Sequence, residues 1–344
     1  MEIPALYAKG LQNKDREFIF RTAANRLGLP AYIIEKDYIV CIVLKIIFTI
    51  VKPVCLEITD TPFLFKGGTS LSKAYNTIFR MSEDIDLSIS MDYLRNPEPE
   101  IESNSARSKR VEELRKSNEI FVDSVLKEAF ITNLASIHSS FTVKVDSGET
   151  QNIIIGYPKS LANEDYTSSY IKPQVLIETG GRASFEPHNE KYIAPFALKE
   201  ILHVLSKNDD CCSLVNVLGM DRTFFEKLTL LHEMNNRTVE DVRSRQSRHI
   251  YDLIMIYKQN PDVVTNLSLL EDVRTHKKKY FRRSSARWDD AIPGKIRILP
   301  TKDIYDKLKS DWERMADLFP SSALPYTFET LIMLLHDIDQ SLNG

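Results

Sequence analysis

Residues 66–90 read KGGTSLSKAYNTIFRMSEDIDLSIS: the end of an apolar strand pattern, a double glycine, a short helical pattern, then a second strand carrying two aspartates one residue apart. Period 2 along EDIDLSIS puts Asp84, Asp86 and Ser88 on one face and Ile85, Leu87 and Ile89 on the other. Two carboxylates about 5 Å apart on one face repel by roughly 3 kcal/mol at an effective dielectric near 20, so one protonates or a cation lies between them. A hard divalent ion is the expected solution, because carboxylate and phosphate oxygens are the ligands Mg²⁺ prefers. Gly67 and Gly68 allow a tight turn, Thr69 or Ser70 caps the helix that begins there, and the first amide N–H groups are left to face an anion. Lys73, about one helical turn on, adds a point charge for the same phosphates. A double glycine alone marks a turn, and a DxD triplet alone suits a solvated strand face. In the order strand, GGTS, helix, DxD, they aim a phosphate cradle and a metal site at one point.

Glu178 closes the apolar strand pattern PQVLIET. A lone acid there is costly to bury without a metal or hydrogen bonds. It is therefore a third metal ligand, the base that deprotonates an attacking hydroxyl, or a strand-terminal acid already in water.

At 344 residues, 43% hydrophobic and 27% charged, the chain has material for two domains. Helical periodicity in NKDREFIFRTAANRLGLP and AYIIEKDYIVCIVLKIIF, strand patterns at SFTVKV, NIIIGYP and KPQVLIETGG, and a helix over VEELRKSNEIFVDSVLKEAF predict a mixed domain over residues 1–193. From 194 to 344, ALKEILHVLS, RTFFEKLTLLHEMNN, RSRHIYDLIMIYKQ and TFETLIMLLHDIDQSL predict a helical domain. The apolar run YIVCIVLKIIFTIV is interrupted by Lys45 and falls short of the roughly 18 to 20 residues of a membrane span, which predicts a buried helix and no membrane partner. Four cysteines without zinc spacing or disulfide density, and a start without a signal-peptide profile, predict a reducing cytoplasm. The formal charge of −3 gives no overall attraction to nucleic acid, yet RTHKKKYFRRSSAR at 274–287 concentrates seven cations without an acid.

Several ordered motifs carry a family resemblance: IEKDYIV, KGGTSLSK, RMSEDIDL, KPQVLIETGGR, EKL at 226–228, RHIYDL at 248–253, then THKKKYF, RILP and DWERM. Together they resemble the polymerase-β-type nucleotidyltransferases, and more closely the AbiEii/AbiGii toxin branch. His249 departs from the branch, many of whose members carry an acid there. The resemblance implies an α+β fold: a polymerase-β-like nucleotidyltransferase domain, a mixed sheet with flanking helices, followed by a mostly helical C-terminal lobe, with the active site between them.

In that site the resemblance has Asp84 and Asp86 hold metal and Gly67, Gly68, Thr69 and Ser70 cradle the triphosphate; Glu178 is expected beside the metal, and Lys73 and Arg248 beside the phosphates. It also makes Lys227 and Asp252 catalytic residues of the helical lobe. On a helical wheel Lys227 falls among Leu230, Leu231 and Met234, so its ammonium reaches an anion or snorkels to water. Asp252, four residues after Arg248, alternatively forms an i,i+4 surface pair worth about 0.3 kcal/mol.

The implied reaction uses Mg²⁺, two ions, to move a nucleoside monophosphate from an NTP to an acceptor hydroxyl, expected at the 3′ end of tRNA. Its consequence is blocked translation, as for an abortive-infection toxin held by a cognate antitoxin; a monomer is favoured. Lys277, Lys278, Lys279, Arg282 and Arg283 then meet the RNA backbone, with Tyr280 or Phe281 stacking on bases, unless the patch is only a solvated helix and loop. Transfer to a protein hydroxyl and a non-catalytic NTP-binding regulatory module are the alternatives; intact Asp84, Asp86 and Glu178 count against the second.

Overall fold

Seven strands form one mixed sheet in the computed structural model, which describes residues 4–8, 10–82, 84–166, 171–205 and 211–344. They are β1 (Phe63–Lys66), β2 (Ile85–Ile89), β3 (Thr142–Val145), β4 (Asn152–Gly156), β5 (Gln174–Gly180), β6 (His188–Ile193) and β7 (Ser213–Leu218), in the order β3-β4-β5-β2-β1-β7-β6. β1 pairs antiparallel with β2, and β2 runs parallel to β5. The alternation predicted for β2 is realised: Ile85, Leu87 and Ile89 are buried, whereas Asp84 and Asp86 are half-exposed. Ser88, on the aspartate face, is buried too, so that face opens only at its Asp84 and Asp86 end. Glu83 lies outside the described residues, as does Ser206 of ALKEILHVLS.

α1 (Asn13–Leu27) stops at Gly28, whose φ of 66° takes the left-handed conformation that glycine adopts without a steric penalty. α2 (Ala31–Lys45) continues without a break through a π-helical segment, Ile46–Val51, into α3 (Lys52–Cys55). The resulting run of 25 residues, Ala31–Cys55, is long and apolar enough to cross a membrane, so the length predicted from the sequence is too short. Its middle is nevertheless packed inside the protein: Tyr32 through Leu44 are all buried. Three of these residues are charged, and each charge finds an internal partner, as burial requires. Glu35 accepts from the Ser160 amide at 2.6 Å and from the Tyr166 hydroxyl, and Lys36 Nζ donates to the Lys172 carbonyl at 3.0 Å. Asp37 accepts from Lys73 Nζ at 2.6 Å and from the Phe196 amide at 2.7 Å.

α4 (Gly67–Lys73) follows β1 directly, and α5 (Asn104–Phe121) and α6 (Lys127–Ile137) are joined by a second π-helical segment, Val122–Leu126. α7 is Leu198–Leu205; α8 (Met220–Met234), α9 (Ser247–Gln259), α10 (Leu267–Tyr280), α11 (Lys302–Glu313) and α12 (Phe328–Asn343) complete the chain. Two compact units result. One comprises Met1–Ala74 and Met81–Val217 and carries the sheet; the other comprises Tyr75–Arg80 and Leu218–Gly344 and carries α8 to α12. The architecture is the predicted α+β class. The division falls at Val217, beyond the predicted residue 193, because β7 pairs parallel with β1 and belongs with the sheet.

Lys73 does not project toward a phosphate site. Its side chain is 3% exposed, with Nζ on Asp37, on the Ala194 carbonyl at 2.7 Å and over the Phe196 ring. Burial alone lowers an ammonium pKa, but the Asp37 carboxylate outweighs it and holds the Lys73 pKa above its ordinary value. Removing one member of such a pair strands the other charge, so Asp37→Ala is expected to cost about 3–5 kcal/mol in urea unfolding. Asp37→Leu combined with Lys73→Met is expected to recover most of that loss.

Candidate active site

Strand register assembles the acidic cluster. Asp86 on β2 is the Cα partner of Lys66 on β1 and of Glu178 on β5, and Glu178 is in turn the partner of Asn152 on β4. Lys66, Asp86, Glu178 and Asn152 therefore form one row across four strands, about 4.8 Å from strand to strand, on a common face. Asp84 shares that face two residues before Asp86. Glu178 is exposed, so water meets its desolvation demand, and its position beside Asp86 is what qualifies it for the site.

Gly67, at the junction of β1 and α4, has a φ of 76° and lies directly against the Asp86 side chain. A Cβ built there falls 1.8 Å from Asp86 Oδ2 and 2.6 Å from its Cγ, so only glycine admits this carboxylate. Gly67, Gly68, Thr69 and Ser70 form the first turn of α4, as the motif predicts, but neither hydroxyl caps it: the N-cap is Lys66, without a side-chain cap bond. Ser70 Oγ donates to the Gly67 carbonyl at 2.9 Å. The Thr69 hydroxyl lies within hydrogen-bond reach of Ser82 Oγ (3.0 Å) and of the Asp84 carbonyl, which ties α4 to the segment entering β2. Both hydroxyls thus brace the turn on which the aspartates depend.

Among the described residues, no three His, Cys, Asp or Glu side chains close into a metal cage. The donor set still suits Mg²⁺, which binds through one or two carboxylates and completes its shell with water and substrate phosphates. Asp84, Asp86 and Glu178 offer hard oxygens on one face, and the lack of a Cβ at Gly67 is what gives the Asp86 carboxylate its place there.

In the other unit, Asp252 on α9 is fully buried beneath two cations. Arg80 Nε and Nη2 each donate to it at 2.7 Å, and Lys227 Nζ on α8 lies 2.8 Å from its Oδ2. The i,i+4 surface pair with Arg248 is not formed, and Lys227 reaches a carboxylate rather than water. Burial pushes the Asp252 carboxyl up, but the Arg80 and Lys227 charges outweigh it and hold it well below the usual carboxylate range. For Lys227, burial prevails over Asp252 and lowers the ammonium pKa. His249 lies 3.3 Å from Lys227 Nζ through Nδ1; burial, with the Lys227 and Arg248 charges, keeps its pKa far below 6.5 and its ring neutral. Arg248 is half-buried, and its Nε has no hydrogen-bond partner.

The predicted basic stretch spans the end of α10 and the loop after it. Tyr280 is buried and unavailable for base stacking, whereas Phe281 is 36% exposed. Arg282, Arg283 and Arg287 are exposed, Lys277, Lys278 and Lys279 half-buried. Acids from outside the stretch temper it: Glu271 holds Arg274, Asp289 holds Lys278, and Glu233 lies 3.5 Å from Arg283.

Two members of these clusters stand first in their motifs without a role readable there. Lys66 opens KGGTSLSK and joins the site through strand register. Arg80 opens RMSEDIDL, but its partner Asp252 lies 172 residues away, and only the apolar setting of NTIFRM hints at a buried cation.

The family model for the nucleotidyl transferase AbiEii toxin of type IV toxin–antitoxin systems matches residues 55–334. Among solved structures, MenT4, a nucleotidyltransferase toxin from Mycobacterium tuberculosis H37Rv, is similar at 15% identity, covering 97% of this chain and 98% of that one with a TM-score of 0.43. No curated protein matches.

Gly67→Ala must displace the Asp86 carboxylate by more than an ångström, and a displacement of that size at a reacting centre costs about 100-fold in rate. Nucleotidyl transfer by this variant is expected to fall by at least that factor, while Gly180→Ala, whose Cβ meets nothing within 4 Å, stays near wild type. Asp252→Asn is expected to lose about 3–5 kcal/mol at pH 7 in urea unfolding. Because the folded-state pKa is depressed, this contribution is fully present above the unfolded value near 3.9 and fades as pH falls below it. The gap between wild type and Asp252→Asn should narrow from pH 4 downward.

Proposed function

The chain belongs to the AbiEii family of nucleotidyltransferase toxins of type IV toxin–antitoxin systems, and on that premise we propose that it transfers a nucleoside monophosphate from an NTP to the 3′-hydroxyl of an RNA, tRNA above all. The observation that carries the reading is the row that sets Asp86 beside Glu178 on one face, with the Gly67 backbone against Asp86. Asp84, Asp86 and Glu178 would hold Mg²⁺, which when bound neutralises the phosphate oxygens of the triphosphate. Gly67 leaves the Asp86 carboxylate its place at this turn, and the backbone N–H groups of the turn from Gly67 to Ser70 would face the triphosphate.

The acceptor oxygen attacks the α-phosphorus in line, a new O–P bond forms, the bond to pyrophosphate breaks, and the acceptor proton passes to Glu178, the exposed carboxylate of the row. Lys66, the cross-strand partner of Asp86, limits the negative charge gathered there. Positioning and charge neutralisation supply most of the acceleration, as phosphoryl chemistry demands. Exposed Arg282 and Arg283 and half-buried Lys277, Lys278 and Lys279 support an RNA acceptor over a protein hydroxyl. Loss of acceptor RNA would arrest translation, and the antitoxin of the pair would restrain it. Cys41, Cys55, Cys211 and Cys212 form no disulfide, which supports a reducing cytoplasm.

The test incubates the protein with each of four labelled NTPs, Mg²⁺ and total cellular RNA or total cellular protein. Label is expected in RNA, to disappear on addition of EDTA and in a folded Asp86→Asn variant. Label confined to protein, or retained by Asp86→Asn at the wild-type rate, refutes the assignment.

A further inference from the structure

A cavity of about 300 Å³ opens within the helical unit, lined from the end of α8, the segment before α9, the first turn of α9 and the end of α10 with the residues after it. One wall is apolar: Leu230, Met234 and the partly exposed ring of Phe281. The rest is cationic, with Arg237, Arg243, Lys277 and Arg283 against a single lining carboxylate, Glu233, which is already engaged by Arg237 and Arg283. Positive charge around an aromatic and aliphatic wall suits a ligand with both a phosphate and a flat apolar face, the composition of a nucleotide. The volume lies at the lower end for ligand pockets, enough for one nucleotide and too little for a duplex. An unpaired nucleotide is the form of RNA whose base is free to stack on a side chain.

His249 also lines the cavity. Its Nδ1 faces Lys227 Nζ at 3.3 Å, so with the lysine donating, the ring proton resides on Nε2 and a donor remains for a base edge. An occupant of the cavity thus lies next to the Lys227–Asp252 pair. Resting on the RNA-acceptor reading above, we infer that this cavity holds one unpaired nucleotide of the acceptor RNA, its base against Phe281 and Met234 and its phosphate on Arg243 and Arg283.

The test measures binding of a 5′-fluorescein 12-nucleotide single-stranded RNA to the full chain by anisotropy, without NTP, for wild type, Phe281→Ala, Phe281→Trp and Arg243→Ala, with urea midpoints as the folding control. Phe281→Ala is expected to weaken binding about 5- to 150-fold and Phe281→Trp to restore it, since stacking needs only an aromatic face. Arg243→Ala is expected to weaken binding and lower the salt slope by about one. The same RNA carrying 4-thiouridine at its 3′ end should crosslink to peptides containing Met234 or Phe281. Unchanged affinity in both folded variants, crosslinks only elsewhere, or full displacement by equimolar free NTP overturns the inference. Because no NTP is present in the binding arm, absence of transfer to RNA strikes only the activity reading, whereas insensitivity to Phe281 and Arg243 strikes only the cavity.

Discussion

The contact between the Asp86 carboxylate and the bare Cα of Gly67 is the constraint around which the acidic site is arranged. With Asp86 in this position a Cβ at Gly67 would overlap its carboxylate. The positive φ at the same residue lets the chain turn directly from β1, an interior strand, into α4. From that fixed point, antiparallel register carries Lys66 to Asp86 and parallel register carries Asp86 to Glu178, so three strands distant in sequence deliver one row of side chains. Thr69 and Ser70 spend their hydroxyls holding the turn and the β2 entry in place. A phosphate partner at this turn would therefore meet backbone more than side chain.

Buried charge organises the protein away from that row. Asp37 and Lys73 join α2 to α4, and Arg80, Lys227 and Asp252 join α8, α9 and the Tyr75–Arg80 segment within the helical unit. Desolvation makes such groups costly singly and tolerable in combination, because each carboxylate meets at least one donor at short range. Burial first, and the neighbouring cations second, lower the proton affinity of Lys227 and His249, while the charges of Arg80 and Lys227 keep Asp252 ionised. His249, the departure from the family pattern, is accommodated as a neutral ring that accepts from Lys227.

Much of this was legible in the sequence where the signal is local. The period-2 face of Asp84 and Asp86, the GGTS turn and the split between α1 and α2 at Gly28 follow from backbone geometry over a few residues. Pairings over long separations were not: Lys73 has the spacing of a phosphate ligand but is captured by Asp37, 36 residues upstream, and Asp252 pairs with Arg80 rather than with neighbouring Arg248. Tyr280 reads as an exposed ring in a basic stretch, yet it is buried at the end of α10. β6 and β7 escaped because HNEKYI and SLVNVL lack clean alternation. In β7 the buried Asn216 accepts from Lys52 Nζ at 2.5 Å, a polar interruption that only the fold makes tolerable. The mid-chain boundary followed the same course, since α7 has helical periodicity but belongs to the sheet unit.

The central claim is that Asp84, Asp86 and Glu178 gather a divalent cation beside the Gly67 turn. Replacing Mg²⁺ by Fe²⁺ in the presence of NTP, then adding ascorbate and peroxide, cuts the backbone wherever the ion is held. Cleavage sites read by mass spectrometry should cluster at the β1–α4 junction, at the start of β2 and at Glu178, and should vanish with excess Mg²⁺. Cuts confined to other parts of the chain, or an unchanged pattern in Asp86→Asn, would contradict the account.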